Sequence, residues 1–182
     1  MSKISIIKTE EAEGQVKEML ALAKSKMGMV PNLLGVMAHA PQVLSVYLNT
    51  HGSLSAGMLP AKTGEQIAVA IASVNGCDYC LSAHTAAGKM SGVTANDLVA
   101  AQEGRASDAK TQAILSLALE INSTHGKGST KAVETARAAG LSDAEILETV
   151  AHVSINILTN SINNIVDTPI DFPKVTLIKA AA

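Results

Sequence analysis

Cys77 and Cys80 stand three positions apart, His84 follows four later, and Glu65 precedes Cys77 by twelve. On a helix, positions 77, 80 and 84 fall on one face. Helix geometry puts Cα atoms of an i, i+3 pair about 5 Å apart, inside the ~4.4–6.8 Å window a disulfide requires. A dithiol here can open and close with little backbone movement. Other uses of the pair compete with that one. A structural staple would close a short loop that the helix already orders. A zinc site would find three ligands in Cys77, Cys80 and His84 and would need a fourth, such as Glu65, from elsewhere. Two inert buried cysteines are also a common arrangement. The redox dithiol has all the features it needs. Asn75-Gly76 breaks the preceding helix and puts both cysteines in the first turn of a new one, where the helix dipole favours a thiolate. His84, one turn beyond Cys80, supplies a cation or a proton acceptor. Lowering a thiol pKa from ~8.5 by about two units makes it mostly thiolate, and after the accompanying loss of nucleophilicity the net gain is roughly tenfold.

Glu65 has a plainer explanation, since a first-turn carboxylate complements the helix dipole without any chemistry. If helices 63–75 and 77–90 fold back about Gly76, however, His84 faces roughly Ala68 and Glu65 lies about a turn beyond. A glutamate there can orient the imidazole, directly or through one water, giving a relay of Glu65, His84 and Cys80. Cys80 is the better attacking thiol on this reasoning, because His84 can accept and return a proton. Cys77, nearer the positive end of the dipole, has the rival claim by thioredoxin-like logic.

The elements that must hold these groups read as helices with visible starts and stops. Residues 9–27 carry one apolar stripe (Val16, Met19, Leu20, Ala23). A short helix is expected in "LLGVMAHA", and Pro41 can open the next, which runs to about Leu54. Thr63-Gly64-Glu65-Gln66 has a capping-box pattern and predicts a helix ending at Asn75-Gly76. The cysteine helix follows, to about Met90. Box-like starts at Thr94 and Ser142 predict two more, the second running to about Val166. Ser107–Ser123 and Ser129–Ala139 read as helices separated by "THGKG", and Pro169 and Pro173 mark an extended tail. "GKMSGVTANDLV" (88–99) lines up with "ARAAGLSDAEIL" (136–147) as a weak helix-turn-helix repeat, and the second copy holds no cysteine. The fold class is all-α, in one compact helical domain over 1–182 whose redox core is 63–94.

Composition agrees. Hydrophobic residues make up 47% but aromatics only 2%, so the core is built from Ala, Leu, Ile, Val and Met, which favours closely packed helices. With 14 basic and 16 acidic residues and no long run of one sign, the surface offers nothing to nucleic acid or an anionic membrane. No apolar stretch approaches the ~20 residues that span a bilayer, and the N-terminus lacks the shape of a secretory signal. The expectation is a cytoplasmic protein, where a cysteine pair is more often catalytic or metal-binding than structural. No Gly-rich dinucleotide loop is visible, so no cofactor is expected. His39, His51, His125 and His152 have no partner at useful spacing, and Tyr47 and Met58 read as core.

The stretch "EQIAVAIASVNGCDYCLSAHTAAGKMSGVT" (65–94) resembles the alkylhydroperoxidase AhpD-like branch of the carboxymuconolactone decarboxylase family. Glu65, Cys77, Cys80 and His84 match all four positions of its motif, and the upstream "PN…AHAP" and downstream "IDFP" extend the likeness over most of the chain. The resemblance implies an all-helical homo-oligomer, a trimer or hexamer. It also implies that the second cysteine attacks a hydroperoxide, the first resolves, and a lipoyl- or thioredoxin-like donor supplies electrons. One position departs: Tyr79 stands where the best-described members carry a histidine that assists the dithiol. The decarboxylases proper lack the cysteine pair. The alternative on the same helices is a non-catalytic thiol redox sensor or a zinc-binding interaction module.

Overall fold

The computed structural model describes residues 2–178. Among them are nine α-helices and no strand: α1 Gly14–Met27, α2 Asn32–Met37, α3 Pro41–Ser55, α4 Ala61–Val74, α5 Asp78–Met90, α6 Ala95–Gln102, α7 Ala109–Thr124, α8 Thr130–Ala138 and α9 Asp143–Val166. The expected all-α class holds. Every side chain from Gln66 to Ala72 in α4 is buried. A helix apolar on all sides must be surrounded, and α4 packs against α5, α6, α7 and α9. Ile67 and Ile71, one turn apart, are fully buried there; truncating either to alanine is expected to cost about 2–5 kcal/mol.

The repeat is longer than the sequence suggested. The starts of α4 and α7 (61 and 109), the ends of α5 and α8 (90 and 138) and the starts of α6 and α9 (95 and 143) each differ by 48. The joints match bond for bond: Val93 N–H donates to Gly88 C=O and Gly92 N–H to Lys89 C=O, while Leu141 N–H donates to Ala136 C=O and Gly140 N–H to Arg137 C=O. Gly92 (φ 83°) and Gly140 (φ 88°) both take the left-handed conformation that closes such helix ends. At the same offset Ala113, His125, Gly128 and Ala132 occupy the places of Glu65, Cys77, Cys80 and His84, so the second copy keeps the scaffold without the reactive groups.

Several boundaries differ from expectation. The first helix begins at Gly14, not Thr9, because Lys8 C=O takes the N–H groups of Glu11 and Ala12 in a separate turn. The capping box at Thr63 does not form: α4 starts earlier behind Pro60, Thr63 N–H donates to Pro60 C=O, and the Thr63 side chain is buried. Asp108 rather than Ser107 caps α7, its Oδ1 accepting Thr111 N–H at 2.8 Å. By contrast Ser142 and Glu145 form a complete box at the head of α9.

Candidate active site

The corner between α4 and α5 is built by Asn75, Gly76 and Cys77. Asn75 caps α4, Gly76 turns the chain at φ 65°, and Cys77 N–H returns to Ala72 C=O at 2.9 Å. Cys77 is thereby the N-cap of α5, with its Sγ accepting the Cys80 N–H at 3.2 Å. The two cysteines are joined in a disulfide with Cα atoms 5.3 Å apart, the separation helix geometry dictates. They are 1% and 2% exposed, so in this oxidised form both sulfurs are nearly sealed.

Asparagines missed in the sequence surround the corner. Asn75 exchanges side-chain hydrogen bonds with Asn122 of α7 (3.2 and 3.0 Å) and donates to Asn160 Oδ1 of α9 (3.0 Å), and its carbonyl accepts from Asn164 Nδ2 (3.0 Å). Asn163 Nδ2 donates to Cys80 Sγ at 3.3 Å, and Asn163 Oδ1 is buried with no hydrogen-bond partner among the described residues. A sulfur accepts such a bond far better as a thiolate than in a disulfide. Only asparagine spacing along α9 hinted at this role. The contact itself spans 83 residues.

Folding back about Gly76 also brings Glu65 to His84, Oε2 to Nδ1 at 2.9 Å, without an intervening water. The carboxylate acceptor favours the Nδ1–H tautomer and leaves Nε2 as the free acceptor. Gly88 of α5 gives room to α6, since an added Cβ would lie 2.8 Å from Leu98 Cδ2, while it would only touch Glu65 Cβ of α4 at 3.5 Å. Of the four motif residues, the structure thus pairs Glu65 with His84 and Cys77 with Cys80. The two pairs lie one helical turn apart along α5.

Glu65 and His84 line a cavity of about 240 Å³ together with Tyr47 and His51 of α3 and His152 of α9. His51 and His152, without a partner at useful sequence spacing, thus meet Glu65 and His84 at one cavity, and Tyr47 lines it while also packing against the hydrophobic core. Met58, also expected in the core, is 64% exposed. His39 and His125 stay apart from the site: His39 Nε2 lies 2.9 Å from Ser5 C=O, and His125 caps α7 in the left-handed conformation. Burial holds the imidazoles of His51 and His152 below their ordinary pKa and pushes the Tyr47 phenol up to about 12, so all three present neutral groups to the cavity. Neither cysteine is among the lining residues.

Tyr79 points the other way. Its hydroxyl accepts the Leu33 N–H at 3.2 Å, its ring meets Phe172 edge-on at 5.8 Å, and burial drives its pKa upward. Beside it Asn32 N–H donates to Asp171 Oδ2 at 2.7 Å, and Asn32 Nδ2 donates to Pro169 C=O at 3.0 Å. The two flanking patterns, "PN" and "IDFP", therefore meet at Tyr79 and together cap the first turn of α2, whose N-cap Pro31 offers no side-chain acceptor. Tyr79 is a clamp on the outside of α5. Its hydroxyl is engaged at Leu33.

Among the described residues no three His, Cys, Asp or Glu side chains converge to hold a metal ion. No described helix is long and apolar enough to cross a membrane.

Residues 41–121, which contain the whole motif, match the carboxymuconolactone decarboxylase family. No curated protein sequence matches the chain. The fold is similar to an alkylhydroperoxidase AhpD core structure, an uncharacterized peroxidase-related protein from Ralstonia eutropha JMP134. That likeness has a TM-score of 0.84 and 21% identity over 93% of this chain and 92% of that one. An uncharacterized peroxidase-related protein from a Silicibacter species matches with a TM-score of 0.78, 21% identity, and 92% and 91% coverage. The debrominase Bmp8, solved with 2,3,4-tribromopyrrole, matches with a TM-score of 0.78, 20% identity, and the same coverage. Residues 41–121 are thus similar to the carboxymuconolactone decarboxylase family, and the helical fold is similar to that of the AhpD core structure.

Proposed function

We propose that the protein is a thiol-dependent peroxidase that reduces hydroperoxides through the Cys77–Cys80 pair. The observation that carries this reading is a CxxC disulfide at the head of α5 with the hydrogen-bonded Glu65–His84 pair one turn further along. In the reduced protein the Cys80 thiolate attacks the distal peroxide oxygen, the O–O bond breaks, and the alcohol leaves with a proton supplied through His84. Cys80 is then a sulfenic acid. The Cys77 thiol condenses with it, forming the disulfide and expelling water. A second dithiol of lipoyl- or thioredoxin-like chemistry exchanges with this disulfide, becoming oxidised itself and restoring both thiols. Asn163 and His84 both favour Cys80 as the attacking sulfur, against the N-cap position that favours Cys77.

The test is to trap the intermediate. Cys77→Ser should react once with peroxide and leave a dimedone-labelled sulfenic acid on Cys80, while Cys80→Ser should not react rapidly. Label on Cys77 in Cys80→Ser, with Cys77→Ser inert, would reverse the roles. Dithiothreitol should sustain turnover and NADPH alone should not. Exposed apolar side chains such as Leu22, Met90, Leu147 and Ile165 support a homo-oligomer, a trimer or hexamer, which light scattering would read directly.

The similarity to a debrominase, with a ring-sized cavity beside the Glu65–His84 pair, supports a second reading. An aryl bromide would exchange its bromine for hydrogen as the dithiol becomes the disulfide, with release of hydrogen bromide. Bromide release from a bromopyrrole by the reduced protein, without peroxide consumption, would favour it.

A further inference from the structure

We propose that Asn163 is a catalytic residue of the second, resolving step: its side-chain amide holds the sulfenic acid of Cys80 and lets go of the hydroxyl as water when Cys77 attacks. This rests on the peroxidase reading and adds to that site a group from α9.

A disulfide sulfur carries no proton, so Asn163 can hydrogen-bond to it only through Nδ2, which lies 3.3 Å from Cys80 Sγ. The planar amide then sends Oδ1 to its other arm, where it is buried without a hydrogen-bond partner among the described residues. Asn163 as a whole is 3% exposed. An unpaired acceptor at that depth is costly and marks a group with a use in another state. One turn earlier on the same face, Asn160 Nδ2 is also buried and unpartnered. Asn75 fixes this stretch of α9 against the corner, donating to Asn160 Oδ1 and accepting from Asn164 Nδ2, both at 3.0 Å. The open valences are therefore held in place before any reaction.

The chemical states of Cys80 differ in what they offer an amide. A thiolate or a disulfide sulfur only accepts, which occupies Nδ2 and leaves Oδ1 idle. A thiol has one weak donor on the same atom that accepts. The sulfenic acid, S–O–H, sets an acceptor and a hydroxyl donor on adjacent atoms, and one amide meets both with its two arms. Asn163 bonds to Cys80 and, among the described residues, not to Cys77, so a hydroxyl held there is kept clear of the attacking sulfur. In the resolving step the Cys77–Cys80 S–S bond forms and the S–O bond breaks. The Cys77 thiol proton leaves with the hydroxyl as water. Asn163 neither gains nor loses a proton.

The test follows the fate of the sulfenic acid. Reduced full-length protein is exposed once to increasing hydrogen peroxide without reductant, and peptide mass spectrometry scores the disulfide against Cys80 sulfinic acid, the product of a second peroxide. Both products start from the sulfenic acid, so their ratio is independent of how fast Cys80 first reacts. In Asn163→Leu, which keeps the bulk of the side chain, the peroxide concentration that gives equal products should fall about tenfold, the worth of one buried hydrogen bond. Asn163→Ser, whose single hydroxyl can donate or accept, should lie between Asn163→Leu and the wild type. Closure of the mixed disulfide formed with dithiodipyridine, read as release of the second thiopyridone, expels no hydroxyl and should match the wild type in both variants. Unchanged product ratios in both variants overturn the proposal. So does mixed-disulfide closure slowed as much as the resolving step, which would mark displaced cysteines. Either result leaves the peroxidase reading standing, whereas reduced wild type that hydrogen peroxide fails to oxidise overturns that reading and this inference with it.

Discussion

Tyr79→Phe separates a clamp from a proton relay. The substitution keeps the ring against Phe172 and removes only the hydroxyl, which leaves the buried Leu33 N–H without its acceptor. An unsatisfied buried donor costs about 1–3 kcal/mol. The contact is long at 3.2 Å, which puts the cost near the lower end, ~1–1.5 kcal/mol. For a chain of this size each kcal/mol moves Tm by about 2–4 °C, so a fall of roughly 2–6 °C is expected. Peroxide-dependent thiol oxidation per folded molecule should stay within about twofold, whereas loss of acid–base help would cost ~10²–10⁴-fold. Tyr79→His should be less stable still, because a buried imidazole cannot span to Leu33, and it should not speed the reaction. Differential scanning calorimetry paired with stopped-flow thiol oxidation reads both quantities. An unchanged Tm with a rate more than tenfold lower, or a faster Tyr79→His, would refute the clamp.

His84→Ala should slow the first oxidation by about 10²–10⁴-fold and Glu65→Ala by less, since Glu65 acts by orienting the imidazole; single-turnover rates would show whether Glu65→Ala is as severe, which would break the order of the relay. Asn163→Ala should raise the Cys80 thiol pKa and shift the dithiol–disulfide equilibrium toward the disulfide by about tenfold, the worth of one hydrogen bond to a charged group. Thiolate absorbance at 240 nm and equilibration with dithiothreitol measure both, and no change in either would strip Asn163 of its role. Stability should also fall in mild acid. Burial lowers the His51 and His152 pKa values in the folded protein, with Glu65 opposing the effect at both and Glu148 at His152. The unfolded chain therefore binds protons first, and the stability present above pH 6.5 is lost as pH drops through the folded values. Urea midpoints should decline below pH 6.5 in the wild type and decline less in a His51→Gln, His152→Gln double variant; parallel declines would count against it.

What the sequence decided was local. Cys77, Cys80 and His84 share a face because the helix repeat is fixed, so the disulfide spacing and the one-turn reach of His84 could be read without a fold. Gly76, Gly92 and Gly140 stopped helices where their φ angles show they must, and Ser142 announced α9 by its own side chain. Even the Glu65–His84 pairing followed from folding two adjacent helices about one glycine. The false start at Thr63 shows where local signals fail. A capping hydroxyl competes with whatever precedes it, and Pro60, with the pull of a buried α4, extended the helix past it. His51, His152 and Tyr47 come from helices far apart in sequence, and the cavity they share exists only because α3 and α9 pack together beside α4. Tyr79 is the clearest case. Its residue type suggested a change in the chemistry of the dithiol, but the direction of its side chain on α5 sends the hydroxyl to Leu33, and the tail that crosses there decides its role. Periodicity fixes which residues share a face. Which face meets which partner depends on long-range burial, and that burial is settled only when the whole chain has packed.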